Sequence, residues 1–471
     1  MTHSLRRPAA VDLPVVDQLG ARLRAPDYQQ WRAQVQATGG CAAPIHLTGS
    51  TQILDRDGAV LVERAGTVLA PCGNRRAALC PACSDRYAAD AYHLLRAGLA
   101  GDESKGVPDT VTEHPRAFLT LTAPSFGHVH TRTVTRRGHV VPCRCGERHH
   151  PADPRIATPV DPDSYDYDGA VLWQAHAGAL WARFTTTVRR ALAAALGIGA
   201  REFGQHARLS YAKVAEYQRR GLVHFHAVIR LDGTGGPADP PPSGLTHEVM
   251  RTAITSAARA AQLITTRQNA APLVLGWGAQ LDLRPVTPTA ARHLEDETGQ
   301  ITDAALAGYI AKYATKSTGA VDGGEGADRP IRDGEHIAHL DVSPHHRRMI
   351  NTAWQLGGLV EYADLNLRRW AHMLGFRGHF MTKSRSYSVT FTAIRSERRT
   401  WRLRTDLDQL ARETDDPGHA LADLDTITVI NDWRVVHIGH HDHAERELAL
   451  AIAARQCTQG RTTRITRRAA A

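Results

Sequence analysis

Residues 207–217 and 222–231 are two β-rich runs separated only by Arg219-Arg220-Gly221. A three-residue link ending in a glycine closes antiparallel hairpins, because glycine accepts the left-handed conformation of the last loop position. The two runs must therefore pair with each other. In the second, Leu222-Val223-His224-Phe225-His226-Ala227-Val228-Ile229, side chains alternate sides, so His224 and His226 share one face while Val223, Phe225 and Ala227 point to a core.

Around that hairpin, helix and strand signals mingle. Residues 117–123 and 279–286 read as strands, and so does 384–394. Helical runs are expected over 84–97, 170–196, 246–262, 302–317 (Thr302 as N-cap) and 346–374, with helix and loop after 394. Residues 127–168, rich in Gly, Pro, Asp and His, read as an insertion, and the proline-rich stretch 232–243 as a flexible excursion. The expected class is α+β: a central antiparallel sheet with packed helices, a Cys-rich zinc-binding element and a largely helical C-terminal region. The expected division is 1–65 of unresolved role, 66–170 with the Cys-rich element and first strand, 171–320 as the core, 321–395 as a basic extension and 396–471 as a helical end.

Two imidazoles side by side on a rigid strand offer a metal platform, although a lone His-x-His is more often solvated or packed. Register sharpens the metal reading. With 219–221 as the loop, Gln218 pairs with Leu222 and Glu216 falls opposite His224, with Cβ atoms roughly 5 Å apart. A His-His-Glu set with open positions suits a divalent ion, Mg²⁺ or Mn²⁺, that must also bind a phosphate oxygen. A slip of one residue would turn Glu216 away and leave Gln218 as the fallback.

The helix expected after Thr302 carries Tyr309, Lys312, Tyr313 and Lys316 at i, i+3, i+4 and i+7, hence on one face. Leu306, Ile310 and Ala314 form a separate apolar stripe. An aromatic packing pair beside solvated lysines is the plainer reading. The chemical reading gains from the cost of ionising a phenol, whose pKa is near ~10. Neighbouring ammonium groups favour the phenolate and stabilise charge developing on a phosphate. Lysine occurs only at positions 105, 213, 312, 316 and 383, all other basic residues being arginine, so a lysine pair here is a pointed choice.

The formal charge is +9, a balance that favours polyanionic partners. No apolar run approaches the roughly 18 residues of a membrane span, and no signal peptide follows the Met1 end, so cytoplasmic residence is expected. Five of the seven cysteines lie between Cys72 and Cys145, a clustering that argues for metal rather than disulfides. Cys80-x₂-Cys83 anchors a structural zinc site. Cys72 with one of Cys143 and Cys145 is expected to complete it, or a second site uses His149 or His150. Cys41 and Cys457 are expected to be free thiols. Arg368, Arg369 and Arg377, interleaved with aromatics, are candidate DNA contacts, against the alternative of a solvated basic helix. The tract 439–443, with three histidines, is expected at a surface.

Phe118-Leu-Thr-Leu-Thr-Ala-Pro124, then His224-Phe225-His226, then Tyr309-x-x-Lys-Tyr313-x-x-Lys316 stand in the order of the three motifs of rolling-circle replication initiators. The sequence resembles such initiators of actinobacterial plasmids and integrative elements, within the HUH endonuclease superfamily, over roughly residues 70–395. The resemblance implies an HUH/relaxase-like sheet, related to ferredoxin-like and RRM folds, with the histidines at its centre and the tyrosine helix alongside. It implies nicking of one origin strand, a 5′-phosphotyrosine and a free 3′-OH. Tyr313 matches the principal nucleophile and Tyr309 a second tyrosine, while Thr120 and Thr122 belong to the first motif, with a structural and DNA-contacting role. Origin DNA, a host helicase and the replication machinery are the implied partners. A transposase or conjugative relaxase, or a zinc-stabilised DNA-binding regulator without catalysis, remain alternatives.

Overall fold

The computed structural model describes residues 15–268, 270–286, 303–313, 330–414 and 427–469. The chain divides into two compact units, one formed by Met1–Tyr87 with Arg395–Ala471, the other by Ala88–Ile394. Among the described residues no helix is long and apolar enough to cross a membrane.

In the first unit β1 (Ile45–Leu54) lies between β2 (Val60–Ala70) and β12 (Thr428–Ile438), antiparallel to both. β12 departs from the helix and loop expected after residue 394. Its β-branched residues Thr428, Val429, Ile430, Val435, Val436 and Ile438 suit a pleated surface. Its partner lies at the other end of the sequence, which is why no local pattern revealed the pairing.

The second unit is built on a five-stranded sheet in the order β10 (Leu281–Pro285), β3 (Arg116–Leu121), β7 (Val223–Asp232), β6 (Arg208–Tyr217) and β11 (Met381–Lys383). Every neighbouring pair is antiparallel. The β6–β7 hairpin closes as the sequence requires. Gln218 N–H donates to the Leu222 carbonyl at 2.8 Å, and Gly221 sits at φ +75°. A Cβ on Gly221 would also meet Met349 Sδ at 2.9 Å, so glycine is needed there twice over. The Arg220 guanidinium ties this tip to the end of β3 through the carbonyls of Ala123 (2.9 Å) and Pro124 (3.1 Å). Two minor hairpins, β4 (Thr133–Val134) with β5 (Val140–Val141) and β8 (Gln262–Thr265) with β9 (Leu273–Gly276), lie outside this sheet.

One face of the sheet is apolar. Leu119, Leu121, Ala215, Tyr217, Val223, Phe225, Ala227 and Ile229 share a core with Trp173, Leu180, Trp181, Phe184 and Val188 of the helix Tyr167–Ala195. Asp166 caps that helix, accepting from Gly169 N–H at 2.9 Å. Each large side chain buried there contributes roughly 1.5–3 kcal/mol relative to exposure. The opposite face mixes the polar side chains of Thr120, Glu216, His224 and His226 with buried apolar ones, Phe118, Val214 and Val228.

Two expected elements differ. β11 ends at Lys383, because Ser384 turns its hydroxyl back to accept from Tyr211 N–H at 2.9 Å. Tyr387 then plunges into the core, its hydroxyl donating to the Leu95 carbonyl at 3.2 Å, and a helix begins at Phe391. The expected strand 384–394 is therefore a turn and a helix start. The helical run after 343 starts with Ser343 capping and Pro344 inside, then stops at Leu356, before Gly357-Gly358. Short 3₁₀ turns at Val360–Leu365 and Ala371–Met373 replace the rest.

Lys213 is anomalous on the apolar face. It is 3% exposed, with its ammonium 3.8 Å from the Phe225 ring centroid and 5.6 Å from that of Trp181. Burial pushes its pKa down to about 7. The unfolded chain then binds more protons between about pH 7 and the ordinary lysine value of 10.5, so this group's contribution to stability rises with pH across that window. Lys213→Met should stabilise the fold at pH 7 by on the order of 3 kcal/mol, after allowing for the lost cation–π contact. The gain should shrink towards pH 10, as read by urea unfolding at both pH values.

Candidate metal and nucleophile site

β7 is the middle strand, so its polar face is flanked on both sides. Directly paired residues share a face in an antiparallel sheet. Glu216 pairs with His224, as the loop arithmetic required, and Thr120 of β3 pairs with His226. His226 is buried and His224 half-buried, their ring centroids 5.3 Å apart. The Glu216 carboxylate leans diagonally and meets His226 Nε2 at 2.9 Å, while Thr120 Oγ1 lies 3.1 Å from His226 Nδ1. Both ring nitrogens of His226 are thus addressed, which fixes its plane. The Thr120 hydroxyl at Nδ1 is the kind of support that orients a ligating imidazole, and Nε2, which faces the Glu216 carboxylate, is the nitrogen an ion shared with that carboxylate would take.

The helix Asp303–Tyr313 packs against β6. Leu306 and Ile310 are buried, consistent with the apolar stripe. Tyr309 is half-buried, its ring centroid 5.7 Å from that of His226 and 6.0 Å from that of Phe118, edge-on to both. One phenol of the tyrosine helix therefore stands at the histidine face. Lys312 and Tyr313 belong to the last turn, but their side chains lie outside the described residues, and Lys316 lies outside them altogether.

The donor types, two imidazoles and a carboxylate, are ones a divalent cation takes, although these three residues are not among the clusters whose ligand atoms all lie within 4.8 Å of one another. Two imidazoles and a carboxylate on rigid strands form a mixed nitrogen–oxygen set, borderline between hard and soft preferences. His224, His226 and Glu216 are the residues that could hold such an ion, and Gln218 is taken up instead by Arg220 at 2.7 Å. Sequence reasoning passed over two neighbours. Asp282 of β10 pairs with Thr120, and Lys383 of β11 pairs with Ala212, both on the histidine face. Burial lowers the Lys383 ammonium below the usual lysine range. The alternation Leu281-Asp282-Leu283-Arg284 was the available signal for the first.

Thr122 is buried and its hydroxyl donates to the Gln280 carbonyl at 2.8 Å, a bond that closes the sheet next to β10. Arg368, Arg369 and Arg377 are exposed. The first two lie over the rings of Trp354 and Trp370, and Arg377 donates to the Asp364 carbonyl at 2.7 Å.

The cysteines group differently from the spacing argument. In the first unit Cys72, Cys80 and Cys83 meet Cys41, which is a fourth member and not an isolated thiol. Cys41 Sγ is 3.7 Å from both Cys80 and Cys83, and Cys72 is 3.7 Å from Cys83. Four thiolates tetrahedral about zinc at ~2.3 Å stand ~3.8 Å apart, so the set fits that ion. Backbone N–H groups of Ala42 and Cys72 point at Cys80 and Cys41 sulfurs, each at 3.3 Å, and His440 Nε2 bonds the Cys41 carbonyl at 2.9 Å. Cys143 and Cys145 belong to a different group in the second unit. Cys457 stands apart, near Asp85.

The family model described as "Replication initiator protein, pSAM2" (RepSA) matches residues 27–454. A protein of Streptomyces ambofaciens named "Replication initiator protein" is 44% identical over 449 residues, covering 92% of each chain. No solved structure matches. The family match extends through both units and includes every residue placed above on the histidine face, so the chain belongs to the pSAM2-type replication initiator family.

Proposed function

We propose that the protein initiates plasmid replication as a metal-dependent, HUH-type nicking and strand-transfer enzyme acting in the cytoplasm. The observation carrying this reading is the Tyr309 ring 5.7 Å from His226, which brings the tyrosine helix to the paired histidines. A regulator that only bound DNA would need no phenol at that position.

In the reaction a tyrosine gives up its phenolic proton as its oxygen bonds to phosphorus. The bond from phosphorus to O3′ breaks, and O3′ takes a proton to leave as a hydroxyl. One phosphodiester is exchanged for another, so the same site can rejoin strands without an energy source. A divalent ion, Mg²⁺ or Mn²⁺, on His224, His226 and Glu216 would supply a Lewis-acid contact to the phosphate. Thr120 holds His226 in place, and Lys312 and Lys316 are assigned to favour the phenolate and the developing phosphate charge. Tyr313 is the first nucleophile and Tyr309 the second. The reverse order is the one competing reading, favoured by the placement of the Tyr309 ring. Zinc at Cys41, Cys72, Cys80 and Cys83 is structural, because four thiolates leave no open position. Arg368, Arg369 and Arg377 are assigned to DNA; a host helicase unwinds the duplex from the nick, and the host replication machinery extends the free 3′-OH.

Incubation with supercoiled origin DNA and Mn²⁺ or Mg²⁺ should give EDTA-sensitive nicks with protein on the 5′ end. Tyr313→Phe should abolish the adduct, and loss in Tyr309→Phe alone would reverse the order. Mobility shift without any cut by the parent chain would leave a regulator.

A further inference from the structure

The insertion between β3 and the helix Tyr167–Ala195 has almost nothing to hold it folded. Between Thr131 and Thr158 the only buried residues are Cys143 and His149. The β4–β5 hairpin within it is solvent-exposed apart from the half-buried Val140, and its tip carries Arg136 and Arg137. A segment without an apolar core needs a disulfide or a metal to repay its conformational entropy. Cys143 and Cys145 are not joined in a disulfide.

Both buried residues belong to one cluster. His130, Cys143, Cys145 and His149 present one ligand atom each, all within 4.8 Å of one another. His130 Nδ1 is 3.2 Å from His149 Nε2, Cys145 Sγ is 3.3 Å from that same nitrogen, and Cys143 Sγ is 4.0 Å from His130 Nδ1. A tetrahedral zinc with Zn–N near ~2.0 Å and Zn–S near ~2.3 Å needs separations of roughly 3.3–3.8 Å.

The surroundings are those of a ligand shell. His149 presents its other nitrogen, Nδ1, to Asp153 Oδ2 at 2.8 Å, the carboxylate support that ligating histidines use. Asp153 is held in turn by Arg155, which also bonds Glu147. Thr131 N–H points at Cys143 Sγ at 3.4 Å, and Gly146 N–H returns to the Cys143 carbonyl at 2.8 Å to form the turn. His130 is fixed from the other strand of the neck, bonded to Thr158 and Ala157 at 2.8 Å each. Ala157 takes φ +73°, a conformation that an alanine adopts only when its surroundings impose it.

We infer that His130, Cys143, Cys145 and His149 hold a second structural zinc ion, independent of the four-cysteine set, which folds the insertion. The site is closed, with four protein ligands and no open position, so it takes no part in chemistry.

Metal analysis of the full chain tests this. The parent should carry one zinc more than the Cys143→Ser/Cys145→Ser chain, and the loss should leave the metal lost by Cys80→Ser/Cys83→Ser untouched. With Co²⁺ in place of zinc, thiolate charge-transfer absorbance should fall by roughly a third in the first variant, two of six thiolates, and by two thirds in the second. Hydrogen exchange should show residues 128–158 protected in the parent and open in His149→Ala, a milder change that keeps both cysteines, while the five-stranded sheet stays protected in both. An unchanged zinc count in Cys143→Ser/Cys145→Ser would overturn the assignment, because any second ion would then lie elsewhere, at His224 and His226 for example. Protection of 128–158 that survives removal of all metal would also overturn it.

Discussion

Under the proposed mechanism His226→Ala should nick origin DNA about a thousandfold more slowly than the parent, since the loss of a metal contact that polarises the phosphate would amount to several kcal/mol. The loss should be selective. Binding to the same DNA without divalent ions comes from the basic surface, so it should persist and weaken with salt as in the parent. The supports should show a graded effect. Thr120→Val keeps the β-branched shape on β3 but removes the hydroxyl 3.1 Å from His226 Nδ1, and a change at such a supporting position costs about 10–100-fold. In both variants, added Mn²⁺ should recover part of the rate for Thr120→Val and little for His226→Ala. If His226→Ala lost binding and cleavage equally, the ring would be serving the fold and not the reaction.

The second large effect concerns stability. Asp232, at the end of β7, is fully buried with Arg230 and Ser210 and beside His114. Its carboxylate accepts from Arg230 at 2.6 and 3.0 Å, from His114 at 2.8 Å and from Ser210 at 2.5 Å. Arg230 and Arg116 in turn donate to the carbonyls of Gly98 and Leu99, locking the end of the helix Pro81–Ala100 onto the sheet. Burial alone would raise the Asp232 carboxyl, and the bonds from His114 and Arg230 reverse this, holding it below the ordinary 3.8. The network's contribution is therefore present above that value and lost as pH falls below it. Asp232→Ala leaves a buried guanidinium uncompensated and should cost about 3–5 kcal/mol in urea unfolding. Removing both charges, as Arg230→Met/Asp232→Leu, should cost less than the sum of the single changes. Additive losses would mean that the two residues act separately.

The hairpin register was legible because a glycine-ended loop and strict alternation leave one pairing that keeps Phe225 in the core. From that register the pairing of Glu216 with His224 followed by counting, although its bond to His226 depends on a side-chain lean that spacing does not encode. Tyr309 could be put on a helix face, but not against a particular histidine. The misread parts depend on distant chain. Cys41 joins Cys72, Cys80 and Cys83 from before β1, His130 joins a knuckle formed well after it, and β12 pairs with β1 from the far end. Lys213, Arg230 and Asp232 were invisible for another reason: periodicity assigns charges to the outside, and only the surrounding partners show that these three are inside.

The most direct test is to trap the covalent complex on a single-stranded origin oligonucleotide, digest it with trypsin and locate the nucleotide by mass spectrometry. Cleavage after Lys312 separates the two phenols, leaving Tyr309 on the peptide that ends at Lys312 and Tyr313 on Tyr313-Ala-Thr-Lys316. The phosphodiester is expected on Tyr313, formed only with a divalent ion present. A nucleotide on the Tyr309 peptide would contradict the order of the two tyrosines, and one carried by any other residue, or cleavage with no adduct at all, would contradict the tyrosine mechanism itself.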